Sequence, residues 1–363
     1  MILRVPSYYK KFRCTADRCP DTCCKGWEID IDEETLAYYK TLQGPVAEKI
    51  RDSVREGSFA LDEKGRCPLL NEKGLCEICL AFGEEALSEV CMEYPRFTME
   101  YPGVREKTLC LSCEEAARLM FSEKQQMSFH EQHLAGEYGE DWEPEEVLLA
   151  QRLEEVRSNA LLLLWDRKHP ITERIASYLI YCRNMQTELF RTEPCRERKD
   201  IQSPYRAFLC RLREYEELET IGEEWNRVKA QLLEFYSEEN YESAHAAFLH
   251  AQKHREYEYE HLMAYYTFRY FMRAFYDNNL LDKAQFAVAS FLMVLDIDAM
   301  NYFANGENFG LSDRIASAKI YAKEVEHSEE NIELLGESFL FEDAFSVEGL
   351  LAQLSPYREG NAL

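Results

Sequence analysis

The sequence predicts a mainly α protein: an irregular, cysteine-rich, metal-binding N-terminal module over residues 1–125, followed by an α-helical domain over 126–363. Two observations carry this. Of 13 cysteines in 363 residues, ten fall within the first 113. Beyond about residue 140, apolar residues recur every three or four positions, the period of a helix buried on one face. Hydrophobic residues make up 46% and charged residues 30%, an ordinary balance for a folded chain. At roughly 150 residues per domain the length suits two domains.

The N-terminal third is rich in turn signals. Cys19-Pro-Asp-Thr-Cys23-Cys24-Lys-Gly26 and Glu63-Lys-Gly65-Arg-Cys67-Pro68 look like loops, and Glu72-Lys-Gly74-Leu-Cys76 resembles a tight turn that delivers a cysteine. Between them, 32–43 and 45–55 read as short helices, with Asp32 placed to cap the first. A further helix starts at Cys113. No clean strand alternation with β-branched residues extends over any long span.

Pro144 and Pro170 suit the starts of helices over 144–167 and 170–190. Leu209, Leu212, Tyr215, Leu218, Ile221, Trp225, Val228, Leu232 and Phe235 form one apolar stripe, predicting a single long helix with Pro204 in its first turn. Segments 238–252, 255–277 and 279–297 are also helical in pattern. The stretch 262–276 is apolar nearly all round, which predicts a central, buried helix. Helices over 312–327 and 329–340 close the chain, and no fixed-period repeat stands out.

The net charge of −25 argues against a general nucleic-acid binder, because neutralising phosphates needs a basic face. No run approaches the ~18 apolar residues of a membrane span; the greasiest, 284–295, is interrupted by Gln285 and Ser290. The first residues lack the apolar core of a secretory signal, so a cytoplasmic protein is expected. Thiols stay reduced there, and a cysteine cluster reads as metal-binding or catalytic rather than as disulfides.

The spacings are Cys14-x4-Cys19-x3-Cys23-Cys24, Cys67-x8-Cys76-x2-Cys79, Cys91, and Cys110-x2-Cys113. Two thiolates at x2 spacing can grip one metal from a tight turn, and soft thiolates select zinc, copper(I) or iron–sulfur clusters. Ten cysteines suffice for two four-ligand sites, or for one site plus spare or catalytic thiols. The CxxxCxxC pattern is not completed, since Gly26 stands where its third cysteine would be. Cys182, Cys195 and Cys210 read as ordinary thiols in helical or linker context.

Other residues read more plainly. His130, His133, His245, His250, His254 and His261 lack a HExxH arrangement and read as solvated or hydrogen-bonded histidines. The aromatics Tyr259, Tyr265, Tyr266, Phe268, Tyr270, Phe271, Phe275 and Tyr276, with Arg269 and Arg273, read as core; an aromatic-lined groove is the sharper alternative. Residues 324–343 hold eight acids and no lysine or arginine, the pattern of a solvated face that can steer a basic partner. Thr22 and Glu28, beside the cysteine motifs, read as a turn hydroxyl and a solvated acid, and Tyr94-Pro95-Arg96 equally as a rigid turn whose arginine pairs with an acid; the alternative for Thr22, Glu28, Tyr94 and Arg96 is support of the ligands. Asn305-Gly306-Glu-Asn-Phe-Gly310 reads as a loop between helices.

The run Cys14-Thr-Ala-Asp-Arg-Cys19-Pro-Asp-Thr-Cys23-Cys24-Lys-Gly26-Trp27 resembles the opening of the flagellin lysine-N-methylase family. So do Cys67-Pro-Leu-Leu70, Gly74-Leu-Cys76-Glu-Ile-Cys79, Cys91-Met-Glu-Tyr-Pro95-Arg96 and Leu111-Ser-Cys113-Glu-Glu-Ala-Ala-Arg118. The first blocks also resemble bacterial cysteine-cluster domains that chelate zinc or iron. Tyr259-Glu-His-Leu-Met-Ala-Tyr-Tyr-Thr-Phe-Arg-Tyr-Phe271 is similar to the family's helical tail.

The resemblance implies methyl transfer to lysine side chains of flagellin, with S-adenosylmethionine as donor and an iron–sulfur cluster of the 4Fe-4S type in the cysteine region. It implies ligands drawn from Cys14, Cys19, Cys23, Cys24, Cys67, Cys76, Cys79, Cys91, Cys110 and Cys113. Zinc is the alternative metal. The alternative functions are a non-catalytic, zinc-stapled interaction protein and an iron–sulfur redox or metal-handling protein. Lysine methylation requires a neutral amine, because an ammonium has no lone pair. Carboxylates and tyrosines are too plentiful for the sequence to nominate a base.

Overall fold

In the computed structural model, which describes residues 1–25, 29–63, 65–135, 142–191 and 203–355, the chain opens with a strand, β1 (Ile2–Pro6). The readings placed on Gly26, Trp27, Glu28 and Cys195 lie outside the described residues. A loop carrying Cys14 to Cys24 leads to β2 (Ile29–Asp30), α1 (Glu33–Thr41), α2 (Pro45–Ser53), β3 (Val54–Arg55) and β4 (Ser58–Phe59). The Asp32 side chain caps α1 by accepting from Thr35 N at 2.8 Å, as the sequence predicts. A loop with Cys67 then leads to α3 (Glu77–Phe82) and α4 (Glu89–Glu93), followed by the hairpin β5 (Arg96–Tyr101) and β6 (Val104–Leu109). Pro102-Gly103 makes its turn, with Gly103 at φ +78°, a value that favours glycine. Helix α5 (Glu114–Ser122) starts beside Cys113, and β7 (Phe129–His133) completes this part.

The chain is mainly helical, and the rest of it entirely so among the described residues. The helices are α6 (Pro144–Leu164), α7 (Ile171–Phe190), α8 (Pro204–Glu217), α9 (Glu223–Phe235), α10 (Tyr241–Ala251), α11 (Glu256–Tyr270), α12 (Ala274–Asp277), α13 (Leu280–Ala304), α14 (Leu311–Tyr321), α15 (Glu329–Phe341) and α16 (Val347–Leu354). A π turn, Ala322–Glu326, joins α14 to the segment before α15. Helix α13 is buried over most of its length and packs against α7, α10, α11 and α14. Helix α11 is buried on all sides from Glu258 to Tyr270; the buried helix expected over 262–276 is interrupted by a tight turn at Phe271–Arg273, and Tyr276 is exposed.

Two expectations need correction. The first is the sheet, ordered β5-β6-β1-β7, with β1 parallel to β6 and antiparallel to β7 (Ile2 opposite Val104 and His133). Its alternation is hidden because the inward face of β6 carries Glu106 and Thr108 beside Val104, and all three are buried. A buried carboxylate breaks the apolar/polar code from which a strand is read. The second is the single helix through 209–235, which divides into α8 and α9. At the break, Glu219 N donates to Asn331 Oδ1 at 2.8 Å, and Ile221 N donates to Glu324 Oε2 at 2.9 Å. These acceptors are distant in sequence and replace the helical carbonyls that the amides would otherwise use.

The apolar residues form two clusters. The larger runs through the helices and takes in Tyr8, Tyr101, Val104, Leu109 and Leu111, so the four-stranded sheet and α5 share the helical core. The smaller is built from Ile29, Ile31, Tyr39, Ile50, Phe59, Leu69 and Ile78. Cys67 belongs to it, and Cys24, Cys76 and Cys91 pack on its border.

Candidate metal centre

Loops and short helices deliver the cysteines, and local hydrogen bonds set the turns that carry several of them. Ala16 N approaches Cys14 Sγ at 3.4 Å in the first turn. Thr22 Oγ1 accepts from Cys24 N at 3.2 Å, a turn-hydroxyl role, and sets Cys23 and Cys24 side by side with sulfurs 4.0 Å apart. Cys67 N donates to Cys24 O at 2.8 Å, which joins the second loop to the first. Asn71 Oδ1 accepts from Leu75 N at 3.0 Å and Gly74 adopts φ +72°, making the tight turn that brings Cys76 to the start of α3. Cys79 follows within α3, and Cys91 lies in α4. Cys113 N donates to Cys110 O at 3.2 Å, closing the turn that opens α5.

Burial, and to a lesser extent neighbouring groups, shift the ionisation of these thiols. Burial pushes Cys67 up to about 12, and Cys76 and Cys91 add to the push. Burial takes Cys91 to about 11, with Cys76 and Cys23 contributing. Burial raises Cys76 too, helped by Cys79 and Cys23, and raises Cys113 to about 12, helped by Cys19 and Cys23. Cys79 is raised by burial and then by Glu84 and Cys14. Cys23 is raised chiefly by its hydrogen bond with Cys24. Cys24, Cys67, Cys76 and Cys91 meet at the smaller apolar cluster, and Cys23 lies beside Cys24.

Among the described residues, no group of three or more His, Cys, Asp or Glu side chains is arranged to hold a metal ion as the side chains stand. The donor set fits a soft metal on chemical grounds. Thiolates are soft donors, and a thiophilic cation bound among these thiols would offset the effect of burial and deprotonate its ligands.

Cys110 differs. It is fully buried, and its sulfur accepts from Ser112 Oγ at 3.0 Å and from Arg269 Nη1 at 3.3 Å. Burial opposes ionisation, but the Arg269 charge and a hydrogen bond from His327 outweigh it and bring the thiol down to about 7. Arg269 pairs with Glu326 at 2.6 Å, and Tyr265 and Tyr270 each donate to Glu326 at 2.8 Å. His327 Nε2 lies 2.7 Å from Ser112 Oγ, and its ring stacks on Tyr94 at 6.0 Å.

Elsewhere the readings divide. The aromatic run is core except at Tyr276, which is exposed. Two of the eight acids in 324–343 are not on a solvated face, since Glu324 binds the α8–α9 break and Glu326 binds Arg269. His245 is a hydrogen-bonded core residue between Tyr241 O and Asp296. Cys182 is buried in α7 and Cys210 is half-buried in α8. The 305–310 segment is a loop between α13 and α14. Arg96 donates to Met92 O at 3.3 Å. A cavity of about 430 Å³ lies elsewhere, lined by Arg4, Phe129, Glu131, Glu154, Arg157 and Phe268, and no cysteine borders it. Sequence reasoning missed Ser112, Glu326 and His327. The only signal for the last two was an acid–histidine pair in a stretch without lysine or arginine.

Residues 148–353 match the family model described as "FliB lysine N-methylase C-terminal domain". The protein named "Lysine-N-methylase" from Salmonella typhimurium is 28% identical over 136 residues, 35% of this chain and 34% of its own length. "Flagellar biosynthetic protein FliU" from Salmonella muenchen is 28% identical over 136 residues, covering 35% of this chain and 80% of its own. The match therefore spans about a third of the length of the Salmonella typhimurium relative. No solved structure matches.

Proposed function

Because this chain belongs to the FliB lysine N-methylase family, we propose that it methylates lysine side chains of flagellin, with a metal centre bound by the N-terminal cysteine patch. The family match over 148–353 supports the lysine-methylation part of this reading. The proposed methyl donor is S-adenosylmethionine, and the proposed centre is an iron–sulfur cluster of the 4Fe-4S type. The proposed location is the cytoplasm, where the thiols stay reduced.

The ligands would come from Cys14, Cys19, Cys23, Cys24, Cys67, Cys76, Cys79, Cys91, Cys110 and Cys113. Bound there, the centre would supply electron-transfer or Lewis-acid chemistry. The chain's own residues position it: the Thr22 turn, the Cys24–Cys67 backbone link and the Asn71 turn hold three loops together. In the transfer itself the amine lone pair forms the new N–C bond as the donor's S–C bond breaks and leaves a thioether. The amine must therefore be neutral, and its remaining proton must go to a base.

A second reading has a specific observation in its favour. Cys67 is part of the smaller apolar cluster, and Cys24, Cys76 and Cys91 pack on it. That is the placement of a zinc staple, which would hold a poorly filled core together without taking part in chemistry.

Anaerobic purification, with iron, sulfide and zinc analysis and a visible spectrum, separates the two. Iron with acid-labile sulfide, together with labelled methyl transfer to flagellin that depends on Cys23, is the expected result. Zinc in whole-number ratio without iron would remove the cluster, and absence of labelled flagellin from the metal-loaded chain would remove the methylase reading.

A further inference from the structure

We infer that the outer edge of β7, with the cavity behind it, docks an extended segment of a protein partner and takes one of its basic side chains, a lysine, in charged form. Among the described residues, β7 is an end strand of the four-stranded sheet. Ser7 N donates to Ser128 O at 2.8 Å, and Leu134 N donates to Met1 O at 3.0 Å. The even-numbered residues of this stretch therefore turn their main-chain groups toward β1, and Phe129, Glu131 and His133 turn theirs outward. Glu131 is placed to exchange two main-chain hydrogen bonds with a residue opposite it on an added strand.

The side chains say what that residue is. Arg4 stands opposite Glu106 on one side and Glu131 on the other, and its guanidinium donates to each at 2.8 Å. Across the sheet the row runs acid, base, acid and stops at the edge, where Glu131 is 52% exposed. The next position in that row calls for a cation, because opposite charges directly across a ladder attract and like charges repel. The cavity of about 430 Å³ lies on the same face, between β7 and α6. Glu155 of α6 lines it, is exposed and makes no ion pair among the described residues. Both arginines of the lining are already committed, Arg4 to its carboxylates and Arg157 to Glu106. Phe129 stacks on Phe268 at 4.5 Å in the cavity wall, an apolar surface for the methylenes of a long side chain.

Surplus negative charge favours an ammonium over an amine. The docked residue is therefore recognised in its charged form, and it is distinct from the lysine that accepts a methyl group, which must be neutral. The choice of lysine over arginine, and of flagellin as the partner, rests on the methylase reading; the need for an extended, basic segment does not.

The test uses a short fluorescent peptide of valine and threonine with one central lysine, and the full chain without methyl donor. Replacing that lysine by norleucine should weaken binding roughly fivefold, the upper end for one charge pair across strands. Methylating the backbone nitrogen of the same residue, which removes its hydrogen bond to Glu131 O, should weaken binding at least as much. Glu131→Gln and Glu155→Gln should each narrow the difference between the lysine and norleucine peptides. Equal binding of the lysine and norleucine peptides to the wild-type chain would overturn the inference, and so would a preference for lysine that both variants keep in full. Should a variant not fold, the peptide series on the wild-type chain decides alone. Peptide binding as expected, without labelled methyl transfer to flagellin, would remove the methylase reading and leave the docking site standing. Where transfer is measured, Glu131→Gln should raise KM for flagellin and keep kcat; a fall in kcat at unchanged KM would overturn a docking role.

Discussion

The Glu106 carboxylate is held at both oxygens by Arg157, at 2.7 Å from Nη1 and 2.6 Å from Nη2. Glu106 lies on the inward face of β6 and Arg157 on α6, and both are buried. Arg4 of β1 adds a contact of 2.8 Å to the same carboxylate. Three elements far apart in sequence therefore share one charge. Arg157→Ala leaves Glu106 short of its main partner, and we expect a loss of about 3–5 kcal/mol in denaturant unfolding. A loss below about 1 kcal/mol would show that Arg4 alone suffices.

The same pair sets an acid limit. Burial would raise Glu106, but Arg157 outweighs it and holds the carboxyl below its ordinary value of 4.5. The unfolded chain therefore takes up this proton more readily than the folded one. The pair's stabilisation is full above the ordinary value and is lost as pH falls through the lower folded value. Unfolding free energy measured from pH 6 down to pH 3 should fall more steeply in the wild type than in Glu106→Gln. Equal slopes would count against this carboxylate as the sensor.

Asp32 joins a helix cap to a cysteine. One oxygen caps α1 through Thr35 N, and the other accepts from Glu89 N at 3.0 Å, at the start of the helix that carries Cys91. Asp32→Ala should cost ~1 kcal/mol and weaken metal retention against a chelator. Asp32→Asn keeps the cap and should change the first quantity little. Unchanged metal retention in the alanine variant would separate Cys91 from the cap.

The acids that remain on the surface, Glu329, Glu330, Glu333 and Glu337, are exposed along the start and outer side of α15. Reversing three of them should slow association with flagellin, the proposed substrate, and flatten its dependence on ionic strength, because surface charge acts mainly through encounter rate. Unaltered binding and salt dependence would assign these residues to solubility alone.

Local chemistry was legible in the sequence wherever it acts over a few residues. The Asp32 cap, the Asn71–Leu75 turn, the prolines opening α6 and α8, and the cysteine at the start of α5 all declare themselves this way. What stayed hidden depends on distant partners. The strand character of β6 is masked by Glu106, whose burial makes sense only with Arg157 fifty-one positions away. The α8–α9 break needs Glu324 and Asn331, over a hundred positions downstream. Cys110 looks like one more ligand by spacing, and only the fold puts Arg269 beside it.

The four-stranded sheet also sets an order of assembly. Strand β1 is an inner strand, yet its neighbours β6 and β7 arrive about a hundred residues later in the chain. As the polypeptide is made, β1 waits unpaired while the cysteines from Cys14 to Cys91 emerge; pairing it with β6 then closes a loop around the segments that carry them. Metal supplied during refolding should fill the chain faster and more completely than metal added to the finished apo-protein, and the ratio of the two loading rates measures how tightly the sheet closes the door.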